Sequence, residues 1–304
     1  MVAAPFRYER VPSFEEAVRA LHERGEDAKV IAGGQSLVPM MNLRIARPEW
    51  LIDLNPVGAG PIEDHGGYLR LPALTRHRAI EEAEVVRRRC PILAEAAAHV
   101  GNVRTRTRGT IGGSLAHADP AAELPCVAVA LGAEVTVLGR EGARAVAADD
   151  LLVSYLTTTL APDEVVVEVR VPTLGPRSGW SFLEMSRRSC DWMVVGVAAL
   201  VELDAAGAVT AASVAIGGVA ERAWLVPAEA LADLLGAAPE EALLARVAER
   251  AAAMLRPEDD VQASGEYRRR LAAVLGRRAL AEAVARAGLP EDEPAPRGNG
   301  ERAP

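Results

Sequence analysis

The sequence predicts an α+β protein in two parts, a larger portion of two α/β subdomains and a smaller domain of antiparallel sheet and helices. Three observations carry that prediction. The first 55 residues alternate helix and strand signals, residues 134–171 hold period-two strands, and a Pro/Gly-rich break precedes three more strands followed only by helices. With 304 residues, 50% of them hydrophobic and 25% charged, the chain can bury more than one core.

Ser13-Phe14-Glu15-Glu16 reads as a capping box, Ser13 bonding the third amide and Glu16 returning to the cap, with Phe14, Ala17, Val18 and Leu21 at helical spacing behind it. That helix runs over 14–23 and Gly25 ends it. Lys29-Val30-Ile31-Ala32 is a β-branched run halted by Gly33-Gly34, and Trp50-Leu51-Ile52-Asp53-Leu54 is a second strand. Residues 68–74 read as a strand, Thr75 as the cap of a helix through 89, and Pro91 as the first residue of another. Between Gly101 and Pro125 the periodicity lapses into small residues. Residues 134–138, 143–147 and 165–171 then alternate as half-buried strands. The Pro172 to Gly179 segment marks a boundary. Beyond it come strands at 180–185, 194–203 and 212–219, a hairpin at 204–207, and helices at 228–236, 240–255 and 264–287. The domains are therefore 1–175 (subdomains 1–58 and 59–175) and 176–288, followed by a tail, 289–304, expected to be disordered. No internal repeat is present.

Composition removes several function classes. A formal charge of -8 without a basic run argues against nucleic acid as partner. No stretch of roughly 18 uninterrupted apolar residues marks an integral membrane segment, and Arg7, Glu9 and Arg10 stand where a secretory signal would be apolar, so the chain reads as cytoplasmic. Cys90, Cys126 and Cys190 are far apart, and His22, His65, His77, His99 and His117 form no metal-binding pair, so no metal site is expected on this chain.

Two glycine turns carry the chemistry, Ile31-Ala32-Gly33-Gly34-Gln35-Ser36-Leu37 and Thr110-Ile111-Gly112-Gly113-Ser114-Leu115-Ala116. Consecutive glycines let backbone amides approach an anion that a Cβ would block, and two such nests suit one long anionic ligand, although each alone could be a tight turn. Neither is a G-x-G-x-x-G fingerprint or a Walker loop.

With Pro39 and Leu43-Arg44 after the first turn, and Arg106-Thr107-Arg108-Gly109 before the second with Ala116-His117-Ala118-Asp119-Pro120-Ala121-Ala122-Glu123 after it, the chain resembles the FAD-binding medium subunits of the molybdenum hydroxylases, of the carbon monoxide dehydrogenase and xanthine dehydrogenase type. Phe182 to Arg188, Asp191-Trp192, Ile216-Gly217-Gly218-Val219-Ala220 and Tyr267 to Leu271 follow in that family's order, so the resemblance spans residues 4–287.

The resemblance implies a PCMH/VAO-type FAD-binding fold and a non-covalent FAD. The amides of Ala32 to Ser36, flanked by Val30, Ile31, Leu37 and Val38, and those of Thr110, Ile111, Gly112, Gly113 and Ser114 would hold its pyrophosphate. Glu123 would meet the adenosine end, or else be a solvated charge at a helix start. Ala118 and Asp119 would shape the turn before Pro120. Val165 or Val166 would pack on the adenine or be plain core, and Trp192 would lie over the isoalloxazine or pack in the core. Leu183 stands where xanthine dehydrogenase has a lysine, and Val100 where it has an aromatic, which leans toward the carbon monoxide dehydrogenase branch and against assuming NAD as acceptor. His117 reads as a turn residue, Arg187 and Arg188 as surface or subunit-contact cations. The flavin would carry the chemistry, with no catalytic side chain required.

The implied function is an electron outlet. A large molybdenum-cofactor subunit would oxidise the substrate, two [2Fe-2S] clusters on a small subunit would relay the electrons, and FAD here would pass them to an external acceptor. The assembly would be a dimer of heterotrimers, with contact at the inner face of the membrane left open. A self-contained flavin reductase or oxidase of the same fold is the alternative.

Overall fold

The computed structural model describes residues 2–288, and the tail expected to be disordered at 289–304 lies outside them. The first subdomain is a parallel three-stranded sheet in the order β1 (Arg7–Arg10), β3 (Trp50–Asp53), β2 (Ala28–Ile31). Helix α1 (Phe14–Arg24) buries Ala17, Val18, Ala20 and Leu21 against Ile52 and Leu54. Ser13 caps it, accepting from Glu16 N at 3.2 Å. The Glu16 carboxylate faces Arg19 instead of returning to the cap, so only half of the expected capping box forms. Strand β1 escaped sequence reading because Arg-Tyr-Glu-Arg is exposed edge with no apolar alternation.

The second subdomain is an antiparallel five-stranded sheet in the order β4 (Glu63–Asp64), β5 (Tyr68–Pro72), β10 (Val165–Pro172), β6 (Glu134–Gly139), β7 (Gly142–Ala147). Strand β7, expected to be half-buried, is almost wholly exposed because it is the sheet's edge. The single helix expected over 75–89 is two, α3 (His77–Glu82) and α4 (Glu84–Arg89), separated by extended backbone at Ala83. Thr75 does not cap it. That residue is buried, and its carbonyl accepts from Ile111 N at 3.1 Å. Helix α5 (Pro91–His99) follows with proline at its start.

The aperiodic stretch 101–125 holds the starts of three short helices, α6 (Val103–Arg108), α7 (Ile111–His117) and α8 (Glu123–Ala130). Helix α8 has no apolar stripe because every one of its residues is buried. It lies beneath the second domain's antiparallel sheet, which runs β11 (Ser178–Ser186), β12 (Met193–Leu203), β13 (Val209–Gly217), β14 (Trp224–Leu225). A small helix, α9 (Ala148–Leu151), and a short ribbon, β8 (Leu152–Ser154) with β9 (Thr157–Thr158), complete the larger part.

On the other face of the β11–β14 sheet lie α11 (Glu241–Met254) and the 23-residue α12 (Gly265–Ala287), and the helix expected over 228–236 is α10 (Ala228–Leu231) continued by a 3-10 turn at Ala232–Leu234. Phe182, Met193, Ala198 and Ala215 share one core with Leu124 and Val127 of α8, so the two parts meet through a continuous apolar seam.

Candidate functional site

The first glycine turn follows β2 and leads directly into a short helix, α2 (Leu37–Asn42), with Ser36 at its cap position. Gly34 has φ +72°, a left-handed conformation that only glycine adopts without strain. Gly33 has no room for a side chain, since a Cβ would collide with the carbonyl oxygen of Arg108 and lie 2.8 Å from its carbon. Among the described residues, the amides of Gly33, Gly34, Gln35, Ser36 and Leu37 have no hydrogen-bond acceptor within the protein. Five consecutive free donors at a cleft of 360 Å³ lined by Ile31, Gly33, Gly34, Gln35, Val38, Pro39 and Arg108 fit a bound anion. The diphosphate of FAD matches this donor set, and the exposed Arg108 adds a positive charge beside it.

The second glycine pair differs. Ile111 N donates to Thr75 O, Gly112 N to Ala73 O at 2.9 Å, Gly113 N to Thr110 Oγ1 at 3.1 Å and Ser114 N to Thr110 O. Four of the five amides expected here as pyrophosphate donors are therefore already bonded within the protein, and Thr110 itself is buried. The physical reason for the glycines is close packing at the start of α7, because a Cβ on Gly112 would lie 2.6 Å from that of Ala73. Upstream, Gly109 admits the His77 ring, with which a Cβ would be 2.8 Å apart. Both His77 ring nitrogens are buried without partners, and burial pulls its pKa down to about 4, so the ring is neutral.

The two glycine turns meet across the subdomains. Asn55 Nδ2 donates to Ala32 O at 2.9 Å, Arg76 donates to Asn55 Oδ1 and to Arg108 O, each at 2.6 Å, and Asp53 accepts from Tyr8 and Asn55. Burial raises the Asp53 carboxyl, but hydrogen bonds from Tyr8 and Asn55 and the nearby Arg10 outweigh it and hold the group below the usual carboxylate range. Asn55 and Arg76 were not singled out by sequence, and Arg108 only as part of the run that carries the resemblance.

A second cleft of 360 Å³ lies between the domains, lined among others by Asp119, Tyr155, Leu156, Trp192, Val219 and Arg268. It is fixed by Gly218 N donating to Pro120 O at 2.8 Å and by Arg268 donating to Val194 O, Gly218 O and Asp260. Asp119 Oδ1 accepts from Ala121 N at 2.9 Å, and Ala118 is left-handed at the end of α7, just after His117, the helix's last residue. Trp192 is 61% exposed at this cleft, so core packing does not account for it. Arg187 and Arg188 are exposed.

The remaining expected site residues lie elsewhere. Val165 and Val166 are buried in β10, each in a core cluster, and Leu183 packs against the second domain's core. Val100 ends α5. Glu123, at 7% exposure, is not a solvated charge at a helix start. It faces Glu184 of β11, whose carboxylate is 3.3 Å from His99 Nδ1, and so sits toward the second domain.

Burial, reinforced by Glu184 and weakly by Asp119 and opposed by His99, pushes the Glu123 carboxyl up to about 8. An acid raised above its unfolded value of 4.5 favours the fold fully below that pH, and the contribution is lost as pH rises through about 8. Glu123→Gln is expected to melt several degrees above the parent at pH 8, the gap closing by pH 5, as followed by thermal denaturation of the FAD-free chain.

Comparison with known proteins covers both parts of the chain. Residues 4–174 match the family described as FAD binding domain in molybdopterin dehydrogenase, and residues 180–283 the CO dehydrogenase flavoprotein C-terminal domain. The chain is 41% identical over 283 residues to the 6-hydroxypseudooxynicotine dehydrogenase complex subunit alpha of Paenarthrobacter nicotinovorans, covering 93% of this chain and 95% of that protein. It superposes on the solved carbon monoxide dehydrogenase of Hydrogenophaga pseudoflava with TM-score 0.91 and 36% identity, over 94% of this chain and 99% of that one. Quinoline 2-oxidoreductase from Pseudomonas putida 86 gives TM-score 0.90 and 35% identity, over 95% and 100%.

Proposed function

The chain belongs to the family of FAD-binding medium subunits of the molybdenum hydroxylases, and from that premise we propose that it is the electron outlet of a three-subunit complex. A large subunit carries the molybdenum cofactor and oxidises the substrate, and a small subunit carries two [2Fe-2S] clusters. The assembly is a dimer of such heterotrimers. The observation that carries this reading is that an FAD-binding domain and the family's C-terminal flavoprotein domain occur in one chain and close on a shared seam, where Gly218 N meets Pro120 O.

FAD, when bound, supplies a ring that takes up electrons singly and gives them to an acceptor. This chain's residues position and shield it. The amides of Gly33 to Leu37 bind the diphosphate, the residues leading into the second glycine turn pack against them at Arg108 and Gly109, and Arg108 contributes charge. Val30, Ile31, Ala32 and Val38 flank the loop. Trp192 covers the entrance from the interdomain cleft, whose lining includes Asp119, with Ala118 in the left-handed turn before it and Glu123 at the start of α8 after it. Val165 and Val166 of β10, Val100 after α5 and Leu183 of β11 belong to or pack against the cores on which the site's elements rest. The domains are read as 1–175 and 176–288. Cytoplasmic placement is supported by three free cysteines, two of them buried. Among the described residues no helix is long and apolar enough to cross a membrane, so contact with the inner membrane face would run through the partners.

The test is reconstitution. The purified chain is expected to bind one FAD and to show no turnover of its own, and adding the two partner subunits restores substrate-driven flavin reduction. Turnover of a substrate by the chain alone would replace this reading with a self-contained oxidoreductase. Within the complex, Trp192→Ala is expected to keep full flavin content while reoxidation by oxygen speeds up several-fold in stopped-flow absorbance. An unchanged rate would remove Trp192 from the shield.

A further inference from the structure

We propose that Asn55 and Arg76 are positioning residues that aim the diphosphate-binding amides of the first glycine turn. The inference rests on the FAD reading above and deepens it. The Ala32–Gly33 peptide is planar, so fixing its carbonyl fixes the direction of the Gly33 N–H on the opposite side. Asn55 Nδ2 holds that carbonyl at 2.9 Å.

The orientation of the Asn55 amide is itself determined. Arg76 can only donate, and it reaches Asn55 Oδ1 at 2.6 Å, so the amide nitrogen must face Ala32 O and the Asp53 carboxylate. Asp53 is 3% exposed and also accepts from Asn55 N at 2.9 Å, which fixes the side chain at its base.

The other arm of the same guanidinium donates to Arg108 O at 2.6 Å, the oxygen against which Gly33 packs with no space for a Cβ. One side chain therefore fixes the backbone on both sides of the contact between the two turns. A Gly-Gly loop left free would lose conformational entropy each time it ordered around an anion, and the latch removes that cost before binding.

Flavin fluorescence titration of the full-length chain tests this, using FAD, ADP as a competitor that keeps the diphosphate, and riboflavin, which has none. Asn55→Leu and Arg76→Leu are expected to weaken FAD and ADP binding together by roughly 10- to 100-fold, the loss of one or two charge-assisted hydrogen bonds. Riboflavin affinity should hold, and the melting temperature of the FAD-free chain should fall by only a few degrees, since Asp53 keeps its bonds from Tyr8 and Asn55 N. Arg76→Lys, which keeps the charge but loses the two-armed fork, should fall between, and it serves as the variant if either leucine form fails to fold. Equal losses for FAD and riboflavin, or FAD affinity unchanged in all three variants, would overturn the inference. Failure of the parent chain to bind FAD would instead overturn the functional reading on which it rests.

Discussion

Gly33→Val is expected to empty the flavin site while leaving the chain folded. A Cβ at this position collides with Arg108 O and lies 2.9 Å from Gly109 Cα, and the rest of the valine has only the cleft to enter. The loop must move, and its amides no longer converge on one anion. Losing two charge-assisted hydrogen bonds would weaken FAD by roughly 100-fold or more. The turn is half-exposed and outside the core clusters, so the melting temperature of the FAD-free protein should shift by only a few degrees. Gly112→Val should behave oppositely. Its side chain meets the Cβ and backbone of Ala73 in the interior, so the fold suffers first. Equilibrium dialysis with FAD alongside thermal denaturation separates the outcomes, and full flavin occupancy in Gly33→Val would remove the first turn from the site.

Arg286→Leu is expected to be the most damaging change to the union of the two domains. From α12 this side chain donates to Glu95 at 2.9 and 3.2 Å and to Trp180 O at 2.8 Å, with its guanidinium over the Trp180 ring. Glu95 lies on α5 of the FAD-binding part, so the pair ties one domain to the other. The arginine side chain is 5% exposed and the glutamate 22%. Removing the cation leaves a largely buried carboxylate unpaired, at a cost of roughly 2–4 kcal/mol after allowing for that partial exposure. Melting should fall by roughly 5–10 °C. Glu95→Leu with Arg286→Leu should recover much of the loss, because no orphaned charge remains. A double variant no better than the single one would mean that the pair contributes only packing.

The fold was legible where burial imposes a period. Helix α1 and the long strands β12 and β13 each keep one face or both against a core, and the sequence pattern shows it. Reading failed where no face is privileged, as in α8, buried all round, and in β1 and β7, exposed edges. The helix expected over 75–89 was split by extended backbone at Ala83, which nothing in that residue type announces.

The site divides in the same way. Gly33 and Gly34 stand out in the sequence because a missing Cβ has few other purposes in a turn after a strand, whereas at Gly112 and Gly113 a Cβ would also meet protein, Ala73 and the Thr110 hydroxyl, which no local pattern encodes. Asn55, Arg76 and Arg108 act through carbonyl contacts between residues 21 to 32 positions apart, and no local spacing encodes those. In a chain whose 34 basic residues include one lysine, Lys29, no single arginine stands out by type.

The most direct test of the central claim is to purify the tagged chain from its own cells under native conditions and measure flavin absorbance, iron and molybdenum on the same sample. The account predicts one FAD per copy of this chain, accompanied by two further polypeptides, four iron atoms and one molybdenum, as two [2Fe-2S] clusters and one molybdenum cofactor per heterotrimer require. Flavin recovered on this chain alone, without metal or partners, would contradict it.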